Sequence, residues 1–289
     1  MNRSARRLLH GAFVVVMLTT LDSQASETTS ASTAVTNSLA DADPPGFKSR
    51  AAIGLEKPAE EPGERWNWHV QSTVILQGDP GFPAKYSGPN SLNPAGELRE
   101  TVSQDLFVGL RLWRGAEVHA DELVWQGFGL SDAHGIEAFP NGEAFKVGTE
   151  VPNINLARLF VRQTIGLGGE TDKIEDDDLH LTSWQDASRL TLTVGRFSTK
   201  DVFDNNAYAN DPRTQFMNWA LMANEAWDYP SDPLGYTTGL AAEINVPKWA
   251  LRYGFFQEQR VSGGAALDSH FLKAWGMVTE VEHRYTVHG

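Results

Sequence analysis

From Arg65 to Tyr285 apolar and polar residues change places with a period of two, in unusually long stretches. In "TVSQDLFVGLRLW" (101–113) Val102, Leu106, Val108, Leu110 and Leu112 share one face, with Gln104 the polar exception. Ser103, Asp105, Gly109 and Arg111 share the other face with Phe107. "RWNWHVQSTVILQ" (65–77), "AEVHADELVWQGFG" (116–129), "NLARLFVRQTIGL" (155–167) and "SRLTLTVGRF" (188–197) follow the same rule. So do "YTTGLAAEIN" (236–245), "KWALRYGFFQ" (248–257) and "FLKAWGMVTEVEHRY" (271–285). Strict alternation sets Leu156, Arg158, Phe160 and Arg162 against Ala157, Leu159, Val161 and Gln163. It sets Trp249, Leu251, Tyr253 and Phe255 against Arg252 and Gly254. No stretch holds a 3.6 period over three turns, so the pattern predicts eight strands and an all-β fold.

Length decides what kind of strand. Soluble strands average about 5–6 residues, whereas a tilted strand crossing a bilayer needs about 9–11. The connectors add a direction. "RG" (114–115) and "VP" (246–247) are tight turns, whereas 78–100, 128–153 and 198–235 are long. A membrane barrel has short turns on its periplasmic side and long loops outside. The 166–187 connector breaks this order and reads as an insertion in a periplasmic turn. Trp66, Trp68, Trp113, Trp125, Phe197, Tyr236, Trp249 and Trp275 fall near run ends, where interfacial aromatic girdles lie. The pattern therefore predicts a transmembrane antiparallel β-barrel.

The first 25 residues differ in kind. Three arginines in "MNRSARR", the apolar "LLHGAFVVVMLTTL" and the small-x-small "SQA" form the layout of a cleavable secretory signal. Residues 26–64, rich in Ser, Thr, Ala, Pro and Glu, read as a flexible linker before the 65–289 strand domain. An exported chain can form disulfides, but this one has no Cys. The formal net charge of -13 argues against nucleic acid and against docking on anionic lipid.

Catalytic motifs do not accumulate. "GLGG" (166–169) has no Lys-Ser/Thr after it and reads as a turn. "EDDD" (175–178) lacks the ligand spacing of a calcium loop and reads as a solvated acidic turn. No HExxH, GxSxG or Cys nucleophile is present, so no enzyme, metal or cofactor is predicted. Chemical variety concentrates in 198–235, where Asp201, Asp204, Asn205, Asn206 and Arg213 stand beside Tyr208, Trp219 and Trp227. Carboxylates, amides and Arg bind sugar hydroxyls, and aromatic faces stack on sugar rings. Asp211-Pro212 predicts a short helix over 214–222.

"GRFSTKDVFDNNAYANDPRTQFMNWALM", together with "LFVGLRLWRGAEVHADELVWQGFG", "NLARLFVRQTIGLGGE" and "PKWALRYGFFQ", resembles the carbohydrate-selective porin family (OprB-type) over about 65–285. The resemblance implies an outer-membrane barrel of roughly sixteen strands passing small sugars. Outer-membrane lipid is then the surrounding solvent, and homo-oligomers remain an option. With eight strands, the chain looks like the N-terminal half of such a barrel. It also implies that 201–227 folds into the pore as a constriction. A secreted β-sandwich that binds glycans is the alternative, and a β-rich glycoside hydrolase a third. The face that is apolar separates barrel from sandwich, since a sandwich hides it in a core.

Overall fold

The computed structural model describes residues 64–285, apart from 90, 134–139, 145–147, 207, 220, 223–226, 228, 262–265 and 272, together with the backbone of 13–20. Nine strands form one antiparallel sheet in chain order: β1 (Phe13–Thr20), β2 (Trp66–Pro80), β3 (Gly96–Trp113), β4 (Ala116–Gly127), β5 (Thr149–Ile174), β6 (Ser183–Phe197), β7 (Thr237–Val246), β8 (Trp249–Gln257) and β9 (Trp275–His283). The eight predicted runs are β2 to β9. β1 lies within the stretch read as an export signal and pairs with the outer edge of β2, from Phe13↔Gly78 to Thr20↔Gln71. An unpaired edge attracts any apolar β-branched run, such as Val14 to Val16. The rest of 1–25 and all of 26–63 lie outside the described residues. No helix among the described residues is long and apolar enough to cross a membrane.

The sheet is apolar on its outside. On β3, Leu106, Val108 and Leu110 are each 42% exposed, while Thr101, Ser103, Asp105 and Phe107 on the opposite face are buried. Leu192, Val194, Leu240, Trp249, Leu251 and Tyr253 continue the exposed apolar surface across β6 to β8. A β-sandwich would do the reverse. This polarity suits strands whose outer solvent is lipid. Among the described residues β9 has no partner on its far side, so the sheet is an unclosed segment of barrel wall.

Strict alternation fails on β5 beside Asp121 of β4. Asp121 pairs with Arg158 and Glu122 with Leu156, so Ala157 is the extra residue of a bulge. The bulge turns Leu156 outward with Leu159, while Ala157, Arg158 and Phe160 face in. Three residues assigned to the interfacial girdle also belong elsewhere. Trp66, Trp113, Trp249 and Trp275 are exposed at strand ends, but Trp125, Phe197 and Tyr236 point inward and are buried. Position near a strand end does not distinguish a lipid-facing ring from one that anchors a loop inside.

The concave face carries an apolar core. Phe160, Phe197, Ala241 and Phe256 from β5 to β8 pack with Phe203 of the following long loop. Their rings meet edge-on, Phe160–Phe197 at 5.9 Å, Phe197–Phe256 at 5.7 Å and Phe203–Phe256 at 5.9 Å. Gly254 makes the room: a Cβ there would collide with the Phe256 ring and come within 2.9 Å of Phe203.

Candidate functional site

The 198–236 loop leaves β6 through a short 3-10 turn, Thr199–Asp201. Ser198 caps it, with Lys200 N–H donating to Ser198 Oγ and Ser198 N–H to Asp201 Oδ2 (2.9 Å). Thr199 donates to Pro230 O (2.9 Å), closing the base of the loop. Phe203 then enters the aromatic core, which pins the loop to the concave face. The predicted helix over 214–222 is replaced by two single turns. Gln215 N–H donates to Asp211 O and Leu221 N–H to Asn218 O. Between them Phe216 N–H donates to Tyr208 O (3.1 Å), and Met217 O accepts from Gly142 N–H (2.6 Å). Those long-range bonds take the groups a helical ladder would need.

Gly142 shows that a second long loop also folds inward. Asn141 is fully buried and donates to Thr101 Oγ1 (2.9 Å) on β3, and Ser103 donates to Glu143 Oε2 (2.9 Å). The two loops and the concave wall enclose a cavity of about 250 Å³, bordered among others by Glu143, Lys200, Asp201, Arg213, Trp219 and Tyr229.

Of the eight predicted residues, three border this cavity: Asp201, Arg213 and Trp219. Arg213 reaches across from its loop to the wall. Its Nε donates to Glu143 Oε2 (2.9 Å) and its Nη1 to Gln71 Oε1 on β2 (2.7 Å). Nη2 lies 2.9 Å from Asp105 Oδ2 on β3. Burial opposes its charge, but Glu143 and Asp105 hold the guanidinium firmly protonated. Asp201 receives both arms of Arg158, Nε and Nη2, at 2.8 Å each, and the third arm goes to Asp121 (2.7 Å).

The other five do different work. Asn206 Oδ1 accepts from Tyr208 N–H and Ala209 N–H, a turn that shapes the loop. Asp204 takes a left-handed backbone (φ 52) and donates its N–H to Glu280 on β9 (2.7 Å). Trp227 packs on the aromatic core and beside Tyr229. Asn205 is exposed, and Tyr208 is 76% exposed, away from the cavity. Sequence reasoning missed Glu143, Arg158 and Lys200. Arg158 had a visible signal, since it shares the inward face with Phe160. Lys200 donates to Asn210 O (2.9 Å), and burial lowers its pKa although Asp201, Asp211 and Glu143 pull it back up.

The 166–187 connector is not a loose insertion, and "EDDD" is not a purely solvated turn. β5 and β6 continue pairing to Ile174↔Ser183, and the tip returns to the concave face. There Asn67 Nδ2 donates to Asp176 Oδ1 (2.5 Å), and His69 Nε2 lies 3.2 Å from Asp176 Oδ2. Among the described residues no cluster of three or more His, Cys, Asp or Glu could hold a metal.

The family profile described as "Carbohydrate-selective porin, OprB family" matches residues 89–287. An uncharacterized protein of Aquifex aeolicus (strain VF5) is 32% identical over 98 residues, 34% of this chain and 29% of that protein. The chain thus spans under a third of that relative's length. No solved structure matches. The matched profile covers most of the strands and both inward loops, and the outward apolar, inward polar wall is what such a family requires: the chain belongs to the carbohydrate-selective porin, OprB family.

Proposed function

We propose that this chain builds the wall and constriction of an outer-membrane pore through which small sugars diffuse. The observation that carries this is the cavity on the polar face, where fixed charges of both signs stand beside aromatic rings. Arg213 and Lys200, interleaved with Asp201 and Glu143 around the cavity, supply donors and acceptors for hydroxyl groups. Trp219 and Tyr229 offer flat surfaces for sugar rings. No covalent step and no cofactor is needed for passive diffusion. Export would use the N-terminal 25 residues as a cleaved signal, leaving the edge of β2 free for another strand.

The test is solute flux. Liposomes carrying the protein should swell in isotonic monosaccharide and swell more slowly in larger oligosaccharides. Equal, background swelling in all sugars would overturn the proposal. The β-sandwich alternative has its own signature: a folded monomer in buffer without detergent would support it and exclude the pore.

A further inference from the structure

We propose that the β5–β6 hairpin is a second selectivity element of the pore, bringing the Asp178 carboxylate to the solute cavity from the short-turn end. This rests on the porin reading above. The other short-turn connections are tight, but here two strands run far past their neighbours. β4 begins opposite Gln163, and pairing of β6 with β7 ends at Arg189↔Asn245. From there to Ile174↔Ser183, β5 and β6 pair only with each other. The pairing register shifts between Gly166 and Gly168 and again before Thr171. Gly168 and Gly169 hold φ of 93° and 97°, a backbone that residues with a Cβ adopt at a cost. These shifts break the straight ladder and let the hairpin bend.

The tip beyond the bend is docked rather than free. Asn67 on β2 donates to Asp176 and to His180 O (3.0 Å). Arg111 on β3 donates to Thr182 O (3.0 Å), and Arg162 on β5 donates to Leu179 O (2.6 Å). Leu181 is fully buried. Leu179 packs against the same aromatic core that holds Phe203 of the long loop. Loop and hairpin therefore meet over one cluster, approaching from opposite ends of the wall. Asp178 and Leu179 border the same cavity as Lys200, Asp201 and Arg213. A solvated turn would need none of these donors. A carboxylate on this docked tip lies in the fields of Arg158 and Arg213, offsets them and disfavours anionic solutes relative to neutral polyols.

The chain has no Cys, so introduced thiols are unique. In the membrane-embedded protein, Leu179→Cys with Phe203→Cys should join through a short bifunctional thiol reagent. Failure to join, with Leu179→Cys labelled as fast as a free thiol, would overturn the docking and with it the proposal. In planar bilayers, Asp178→Lys should shift the reversal potential in a salt gradient toward anion preference. Glu170→Lys, the same charge change on an exposed part of the hairpin, should leave it unchanged. Equal response of the two variants, or none, in a channel that passes sugars would overturn the proposal and leave the porin reading standing. If the unsubstituted protein passes no solute, the porin reading falls and the selectivity role with it, while the cross-link still reports where the hairpin lies.

Discussion

Single side chains on this wall have value according to the face they occupy. Leu251 is 38% exposed on the outer face, beside Trp249 and Tyr253. Leu251→Arg should cost about 2–4 kcal/mol at the bilayer midplane. Thr191, on the inward face of β6, should accept Arg with far less loss. Yields of heat-modifiable folded protein in lipid would compare them, and equal yields would refute the face assignment. Ala250 is a poor inward comparison because it is fully enclosed. Arg213 is the other decisive position. Arg213→Glu leaves Asp105 and Glu143 buried without their cation, a loss of about 3–5 kcal/mol. The loop should then detach from β2 and β3, raising conductance and shifting preference toward cations. Arg213→Lys should keep the charge but hold fewer of the three partners, giving an intermediate channel. Unchanged bilayer currents in both variants would place the loop outside the conduction path.

At the scale of elements, the loops are held by different chemistry. The 198–236 loop rests on packing of Phe203 and on the Asp201–Arg158 fork. Asp201→Asn should weaken that fork without emptying the aromatic site, so thermal stability should fall less than in Phe203→Ala, which opens a cavity worth about 3–5 kcal/mol. A smaller loss in Phe203→Ala would contradict the anchoring role. Between Glu258 and Ala274 the Asp268 carboxylate gathers two donors. His270 N–H (2.9 Å) and Arg260 Nε (2.8 Å) donate to Asp268 and draw its carboxyl down to about 2. A depressed carboxyl contributes stability above its unfolded value of about 3.9 and loses it as pH falls through the folded value. Pepsin should therefore nick this loop progressively faster as pH drops from 4 toward 2. In Asp268→Asn cleavage should be fast throughout, and a wild-type rate flat over that range would count against the ion pair.

At the largest scale, the described strands form a wall whose outer face is apolar and whose far edge, on β9, is open among the described residues. Each unpaired backbone group in hydrocarbon costs several kcal/mol, so in a bilayer that edge demands a partner strand. Without detergent or lipid the exposed apolar surface should drive association. Light scattering in plain buffer should show aggregates, and detergent above its micelle concentration should disperse them. A monodisperse monomer in both conditions would contradict the assignment of the outer face.

The sequence alone determined the strands, because alternation every second residue is a local property that survives in any environment. All eight runs, the tight turn at 114–115 and the polarity of β3 were legible in this way, and the second tight turn was placed one residue early, at 246–247 instead of Pro247-Lys248. Membership of the porin family was legible too, through the residues of the 198–235 segment and its flanking strands. Tertiary structure decided the rest. The bulge at Ala157 reverses Leu156, and alternation cannot announce an extra residue. The helix over 214–222 yields to bonds with Tyr208 and Gly142, partners remote in sequence. Glu143 reaches the site only because its loop folds inward onto Ser103. Asp201 and Arg213 look alike in sequence to Asn205 and Tyr208, as polar or aromatic residues of one loop. Which of them borders the cavity depends on where Phe203 anchors that loop, and an anchoring contact exists only once the wall has formed.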